Sequence, residues 1–198
     1  MKKPIIAVDI DDTLFPHFGD LISWYNANFG TSLTEYDNHP TDPENWGTDD
    51  VTVAIKRVQQ FFRTEEFKNA KPFDNVQRVL SRLSERYELI VITARDDMIE
   101  QTTHKWLRSH FKDVFHEVHF TNNFSLHGKK RAKADIMKGL GVAYLIDDSL
   151  EHCSAAAQGG VEAILFGNYD WNQADLLPIG ITRCLGWNQV QEYFDGKS

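Results

Sequence analysis

The sequence predicts an α/β protein built on a doubly wound parallel sheet, and three observations carry that prediction. Short apolar runs recur along the chain, and each ends in a polar residue. The runs are continuous rather than alternating, which is the pattern of strands buried on both faces. Segments with helical spacing separate them, as parallel βαβ units with right-handed crossovers require. In such a sheet the carboxyl ends of the strands form the ligand crevice.

The first strand is Ile5–Val8, running into Asp9. The stretch from Phe15 to Phe73 then breaks the rhythm: it holds no convincing strand, but helical segments over Asp20–Phe29 and Asp49–Arg63. Thr48 is the expected N-cap of the second segment, with Asp49 and Asp50 favourably placed in its first turn. Between the two lie Asp37, Asn38, Pro40, Asp42, Pro43, Asn45 and Gly47, a turn-forming composition. Residues 15–73 therefore read as a small helical insertion, with residues 1–14 and 74–198 forming the core. Asp74 is expected to cap a helix reaching Arg86, with Val76, Val79, Leu80 and Leu83 on one face. Leu89–Ile92 is the second strand and ends at Thr93. Met98, Thr102, Trp106 and Leu107 mark the next helix, before Phe111, and His116–Phe120 is a shorter, alternating strand. Helices over Lys133–Leu140 and Ser149–Gln158, closed by Gly141 and Gly159, flank the strand Tyr144–Ile146, which runs into Asp147. Glu162–Phe166 is a further strand and runs into Gly167.

At 198 residues the chain holds one domain with a modest insertion. Hydrophobic residues at 41% and charged residues at 25% exclude disorder as the main state. A net charge of −8, with no basic run longer than Lys129-Lys130-Arg131 and the nearby Lys133, argues against duplex nucleic acid as a partner. Small phosphorylated ligands stay open. The 2 cysteines, Cys153 and Cys184, are too few for a disulfide framework and match a reduced, cytoplasmic protein. No apolar run approaches the roughly 18 residues of a membrane span. Ile5–Val8 is also too short for the apolar region of a signal peptide.

The chemistry gathers at the strand ends. Asp9-Ile10-Asp11-Asp12-Thr13 follows the first strand, where a turning chain lets both Asp9 and Asp11 face a pocket. Two such carboxylates suit a nucleophile and a general acid/base flanking one phosphorus, while Asp11 or Asp12 could instead cap the turn. Asp147-Asp148 follows another strand, and two acidic clusters at one sheet edge repel unless a hard cation such as Mg²⁺ joins them. Thr93 offers a hydroxyl, and the residues after it, Ala94 among them, offer backbone N–H groups to a phosphate. Lys133, at the start of a helix, is placed to reach the phosphoryl group, with Lys129, Lys130 and Arg131 as competing cations.

In these residues the chain resembles the haloacid dehalogenase-like phosphatase superfamily, whose Asp-x-Asp-x-Thr run, strand-end Thr or Ser, lysine and acidic pair occur here in order. They are Asp9/Asp11/Thr13, Thr93, Lys133 and Asp147/Asp148. The resemblance implies a Rossmann-like core with a helical cap of the C1 type. It implies Asp9 as the nucleophile that forms an aspartyl-phosphate and Asp11 as acid, then base. It also implies Mg²⁺ held by Asp9, the Asp11 carbonyl and Asp147 with Asp148 in support, and phosphoryl oxygens bound by Thr93 and Lys133. Within the superfamily the chain is most similar to the 5'(3')-deoxyribonucleotidase group, through Ile92-Thr93-Ala94-Arg95, Leu145-Ile146-Asp147-Asp148-Ser149, Tyr169-Asp170-Trp171-Asn172 and Arg183-Cys184-Leu185-Gly186-Trp187. It departs in two places: Asp12 replaces the Gly common after the second aspartate, and Ala94 stands where animal members usually carry Ser.

A nucleotide substrate would suit the aromatic insertion, because aromatic faces stack nucleobases. Phe61, Phe62 and Phe67 are expected to form its core, while Trp46, in a polar loop, is expected either to face substrate or to join that core. Arg95 is expected either to touch substrate or to pair with Asp96 or Asp97. A phosphatase for another small ester such as a sugar phosphate is the alternative within the enzyme class. A phospho-receiver module is the alternative outside it, though its phospho-accepting Asp sits on a middle strand.

Overall fold

The computed structural model describes residues 2–37, 43–122 and 130–197. Asn38, Pro40, Asp42 and Lys129 of the sequence reading lie outside them. Strands β1 (Ile5–Val8), β2 (Glu88–Thr93), β3 (Glu117–Phe120), β4 (Val142–Asp147), β5 (Glu162–Phe166) and β6 (Ile181–Cys184) form one parallel sheet, in the order β3-β2-β1-β4-β5-β6. Helices α1 (His17–Phe29), α2 (Val51–Phe61) and α3 (Glu65–Lys68) follow β1, and α4 (Val76–Ser84) leads into β2. Beyond β2 come α5 (Glu100–His110), α6 (Lys133–Leu140), α7 (Leu150–Gln158) and α8 (Trp187–Asp195). None of the helices described is long and apolar enough to cross a membrane.

The continuous apolar runs are strands because both faces of the sheet are covered. Ile6, Val8, Leu89, Val91, Ile146 and Ile164 join one apolar layer with residues of α4, α5 and α8. Their neighbours Ile5, Ala7, Ile90, Ile92, Leu145 and Ala163 join a second layer with α6 and α7. The chain leaves β1 toward β2 and β3, then crosses back to place β4 on the other side of β1. A crevice opens at such a reversal, outside the carboxyl ends of the strands.

Several expectations shift. β6 was not anticipated, because it is a four-residue edge strand with Thr182 exposed and so has no continuous apolar run. α2 is capped by Asp50, whose Oδ1 accepts the Thr52 N–H at 2.7 Å, rather than by Thr48. Thr48 instead turns the chain one step earlier by accepting the Asp50 N–H at 3.2 Å. Asp74 does not cap α4 either: Asn75 occupies that place in a left-handed conformation and makes no side-chain cap bond. The one-turn α3, capped by Thr64, is too short to show a period in sequence.

Trp46 is the largest correction. It is 1% exposed and packs edge-on against Tyr25 at 4.8 Å, while the Tyr25 hydroxyl donates to its carbonyl at 2.8 Å. Arg57 Nη1 donates to the same carbonyl at 3.2 Å and to that of Gly47 at 3.0 Å. A loop rich in turn residues therefore carries the indole inward, where it fills space among the helices that follow β1. That core runs without a break through Leu21, Phe61 and Phe67 to Phe15 and the sheet. Trp46→Ala is expected to destabilise the chain by about 3–5 kcal/mol, read from the shift in urea midpoint at unchanged slope.

Candidate active site

Register brings the functional strand ends together. Val8 pairs with Val91 on one side and Ile146 on the other, so Asp9, Thr93 and Asp147 emerge side by side. The Asp9 N–H donates to the Ile146 carbonyl at 2.9 Å, carrying the pairing one residue past β1. The chain then turns sharply, with the Leu14 N–H donating to the Ile10 carbonyl at 2.8 Å. Asp12 sits in this turn at φ 54°, a conformation that favours glycine and that Asp tolerates better than most residues. The position where glycine is common in the resembling family is thus a left-handed one. Here the Asp12 carboxylate accepts the Phe18 N–H at 3.0 and 3.2 Å and starts α1 earlier than the sequence suggested.

Lys133, the first residue of α6, is buried with its ammonium 2.8 Å from Asp9 Oδ1 and 2.7 Å from Asp147 Oδ2. Lys130 and Arg131 are exposed. Both line a cavity of about 310 Å³ that also borders Lys133 and His152. Asp9, Asp147 and Asp148 each offer a carboxylate oxygen within 4.8 Å of the others, a group able to hold a metal ion. The carboxylate of Asp11 is not part of that group, having turned onto Arg95. Thr93 is buried and its hydroxyl accepts the Arg95 N–H at 3.2 Å, while Ala94 is half-buried directly after it.

The electrostatics divide the carboxyls. Burial pushes Asp9 up to about 6, against the pull of Lys133 and with the help of Asp147 and Asp11. Burial also drives Asp148 well above the usual range, and the charges of Asp147 and Asp9 add to it. Asp147 is equally buried, yet Lys133 and His152 hold it well below that range. Burial opposes ionisation of Asp11 as well, but the Arg95 guanidinium outweighs it and keeps the carboxyl at about 2. Mutual repulsion among clustered carboxylates is what a bound cation relieves.

Supports outside the expected motifs hold these groups in place. Trp171 Nε1 donates to Asp148 Oδ2 at 2.7 Å, and Asn172 Nδ2 donates to the Asp148 carbonyl at 2.9 Å. His152 Nδ1 lies 3.1 Å from Asp147 Oδ1, which also accepts the Ser149 N–H at 2.9 Å. The Tyr169 hydroxyl donates to the Asp12 carbonyl at 2.8 Å, with its ring stacked on Trp171 at 4.5 Å. Tyr169 and Trp171 lie in a stretch that carried the family resemblance without an assigned role. His152 had only its position in the first turn of α7 to signal it. Arg95 pairs with neither Asp96 nor Asp97 but with Asp11, a partner far away in sequence.

The match to known proteins agrees with this geometry. Residues 3–192 match the family model described as 5' nucleotidase, deoxy (pyrimidine), cytosolic type C protein. The 5'(3')-deoxyribonucleotidase of Bacillus subtilis is 24% identical over 194 residues, covering 96% of this chain and 98% of its own. A nucleotidase of Clostridium acetobutylicum is 23% identical over 201 residues, covering 98% of this chain and 95% of its own. Among solved structures, a haloacid dehalogenase-like hydrolase of Streptococcus pneumoniae superposes with a TM-score of 0.73 at 17% identity, covering 97% of this chain and 98% of its own. The hydrolase YfnB of Bacillus subtilis, described as bound to magnesium, superposes with a TM-score of 0.67 at 12% identity over 98% of this chain and 100% of its own. The chain therefore belongs to the 5' nucleotidase, deoxy, cytosolic type C family and is a phosphatase of the haloacid dehalogenase-like fold.

The raised carboxyl of Asp9 makes a stability prediction. Its folded value of about 6 lies above the ordinary 3.8, so its ionisation weakens the fold as pH rises through that interval. Asp9→Asn removes that ionisation. In chelator at pH 7 the variant is expected to be about 1–3 kcal/mol more stable than the parent, with the gap closing below pH 4. Thermal melts across that range check it.

Proposed function

We propose that the chain is a Mg²⁺-dependent, cytoplasmic phosphomonoesterase that removes phosphate from nucleoside monophosphates through an aspartyl-phosphate on Asp9. The observation that carries the reading is the buried Asp9–Lys133–Asp147 contact at the sheet's reversal point, with Thr93 and Asp148 beside it. Family membership and the 5'(3')-deoxyribonucleotidase relative support a nucleotide as substrate. Two free, buried cysteines fit the compartment.

The residues fit a hard cation: three carboxylates offer oxygens within 4.8 Å of one another, and two of them have carboxyls pushed upward by burial and by each other's charge. Asp9, Asp147 and Asp148 would hold Mg²⁺, with the Asp11 carbonyl as the resemblance implies. When bound, the ion neutralises the acidic cluster and the incoming phosphate. An ammonium has three N–H donors; Lys133 donates one to Asp147 Oδ2 and lies in ion-pair contact with Asp9 Oδ1, so it retains donor capacity for a phosphoryl oxygen. The Thr93 hydroxyl accepts from Arg95 and keeps its own O–H to donate to a second.

In the first step an Asp9 carboxylate oxygen bonds to phosphorus as the bond from phosphorus to the nucleoside oxygen breaks. The nucleoside oxygen takes a proton through Asp11, which Arg95 holds ionised in the free site and which must first receive that proton from solvent. In the second, water bonds to phosphorus, Asp11 takes the water proton, and the bond between phosphorus and Asp9 breaks to release phosphate. The insertion over residues 15–73 would act as the cap over the leaving group.

Phosphate release from 5'- and 3'-ribo- and deoxyribonucleotides beside sugar phosphates, with and without Mg²⁺, tests the reading. Mg²⁺-dependent release from deoxynucleotides that Asp9→Asn abolishes is expected. Preference for sugar phosphates would discard the nucleotide assignment. A second prediction concerns the indole on Asp148: Trp171→Phe is expected to weaken Mg²⁺ binding about 10–100-fold, measured by titration calorimetry without substrate.

A further inference from the structure

We infer that Arg95 is the positioning residue that aims Asp11, anchored from the sheet side by Thr103 and from the helical insertion by Phe67. The inference rests on the proposed role of Asp11 in proton transfer and adds to it a residue outside the four motifs.

Arg95 directs its donors inward. Nε–H reaches Asp11 Oδ2 at 3.0 Å and Oδ1 at 3.2 Å, and Nη2 reaches Oδ1 at 2.8 Å. Nη1 donates to Thr103 Oγ1 on α5 at 3.0 Å. The guanidinium carbon lies 4.9 Å from the Phe67 ring centroid and 5.5 Å from that of Phe15, so aromatic faces from α3 and the first loop flank the cation. The side chain is 4% exposed, which leaves it little surface for a substrate, whereas that of Asp11 is 23% exposed. A planar fork gripping both carboxylate oxygens fixes a carboxylate's orientation as well as its place.

The two oxygens are loaded unequally. Oδ1 accepts from Nη2 and Nε and lies 3.5 Å from His17 Nδ1. Oδ2 shares only the Nε hydrogen, so it keeps the lone pairs that can exchange a proton with the leaving oxygen or with water. His17 and Phe67 belong to the insertion and Thr103 to the core. The aim of Asp11 therefore depends on both parts being packed together.

Leaving-group dependence separates positioning from a structural role. The ratio kcat/KM reports steps up to leaving-group departure. 4-Nitrophenyl phosphate releases an anion stable without a proton, whereas thymidine 5'-monophosphate must have its sugar oxygen protonated. Arg95→Gln frees the Asp11 carboxyl to turn and also removes the cation that keeps it ionised. Lost aim is expected to outweigh easier protonation, lowering kcat/KM for the nucleotide about 100-fold and for the nitrophenyl ester by less than about tenfold. In an Asp11→Asn background the same substitution should add no further discrimination. Thr103→Val, which removes one anchor and keeps the volume, should shift the ratio in the same direction by a smaller factor. Equal losses on both substrates, or a full additional loss in the Asp11→Asn background, would overturn the inference. A parent chain that hydrolyses neither ester, or an Asp9→Asn chain that retains activity, would instead sink the functional reading on which it rests.

Discussion

Carboxylates brought to one buried edge of a sheet repel one another, and the Lys133 ammonium is the counter-charge that lets Asp9 and Asp147 lie there together. Parallel strands make the crowding unavoidable, because β1 and β4 are neighbours, Asp9 directly follows β1, and Asp147 ends β4. The ammonium sits at the first residue of α6, so the start of that helix and the spacing of the strand ends are linked. A buried lysine between two carboxylates is well paired, but no cation among the described residues pairs with Asp148 and its carboxyl is driven upward instead. The site is thus left with an unbalanced negative corner. That imbalance costs stability in a chain without a cation and is the physical basis of affinity for one.

The remaining structure can be understood as scaffolding around that corner. The indole of Trp171 and the amide of Asn172 hold Asp148 from the loop after β5. Tyr169 reaches back to the Asp12 carbonyl, and Trp187 Nε1 donates to the Thr13 carbonyl at 2.9 Å, so the last part of the chain braces the first loop. Gly167 makes the first of these contacts possible. A Cβ there would lie 2.3 Å from the Tyr169 ring, and its φ of 77° would strain any side chain. Asp12, where the family usually has glycine, accepts a strained backbone and recovers something from its bonds to the start of α1.

Much of the fold was legible because burial on both faces writes strands as unbroken aliphatic runs, as in Ile5–Val8 and Glu162–Phe166. Both occur with the expected limits. The edge strand β6 was not, since Thr182 and Arg183 meet solvent and break the run. Caps were misplaced by one or two residues at Thr48 and Asp74, because several adjacent polar side chains compete for the same N–H groups and only the path of the loop chooses among them. Trp46 was misjudged for a related reason: a polar loop describes the neighbours of a side chain, not the direction in which it points. His17 packs among Phe15, Phe61, Phe62 and Phe67, a setting that its place beside a proline and a single phenylalanine in sequence does not show.

By itself the sequence determined which chemistry-bearing residues stand at strand ends, since hydrophobic periodicity locates those ends and the motif residues follow them directly. Asp9, Thr93 and Asp147 required nothing more. Tertiary structure decided the pairings that cross large sequence separations: Arg95 with Asp11, Trp171 with Asp148, and the choice of Lys133 over its exposed neighbours Lys130 and Arg131. Local pattern encodes burial and direction along one element. The partner of a charged or polar side chain depends on how separate elements pack, and that information exists only once the sheet has brought its strands together.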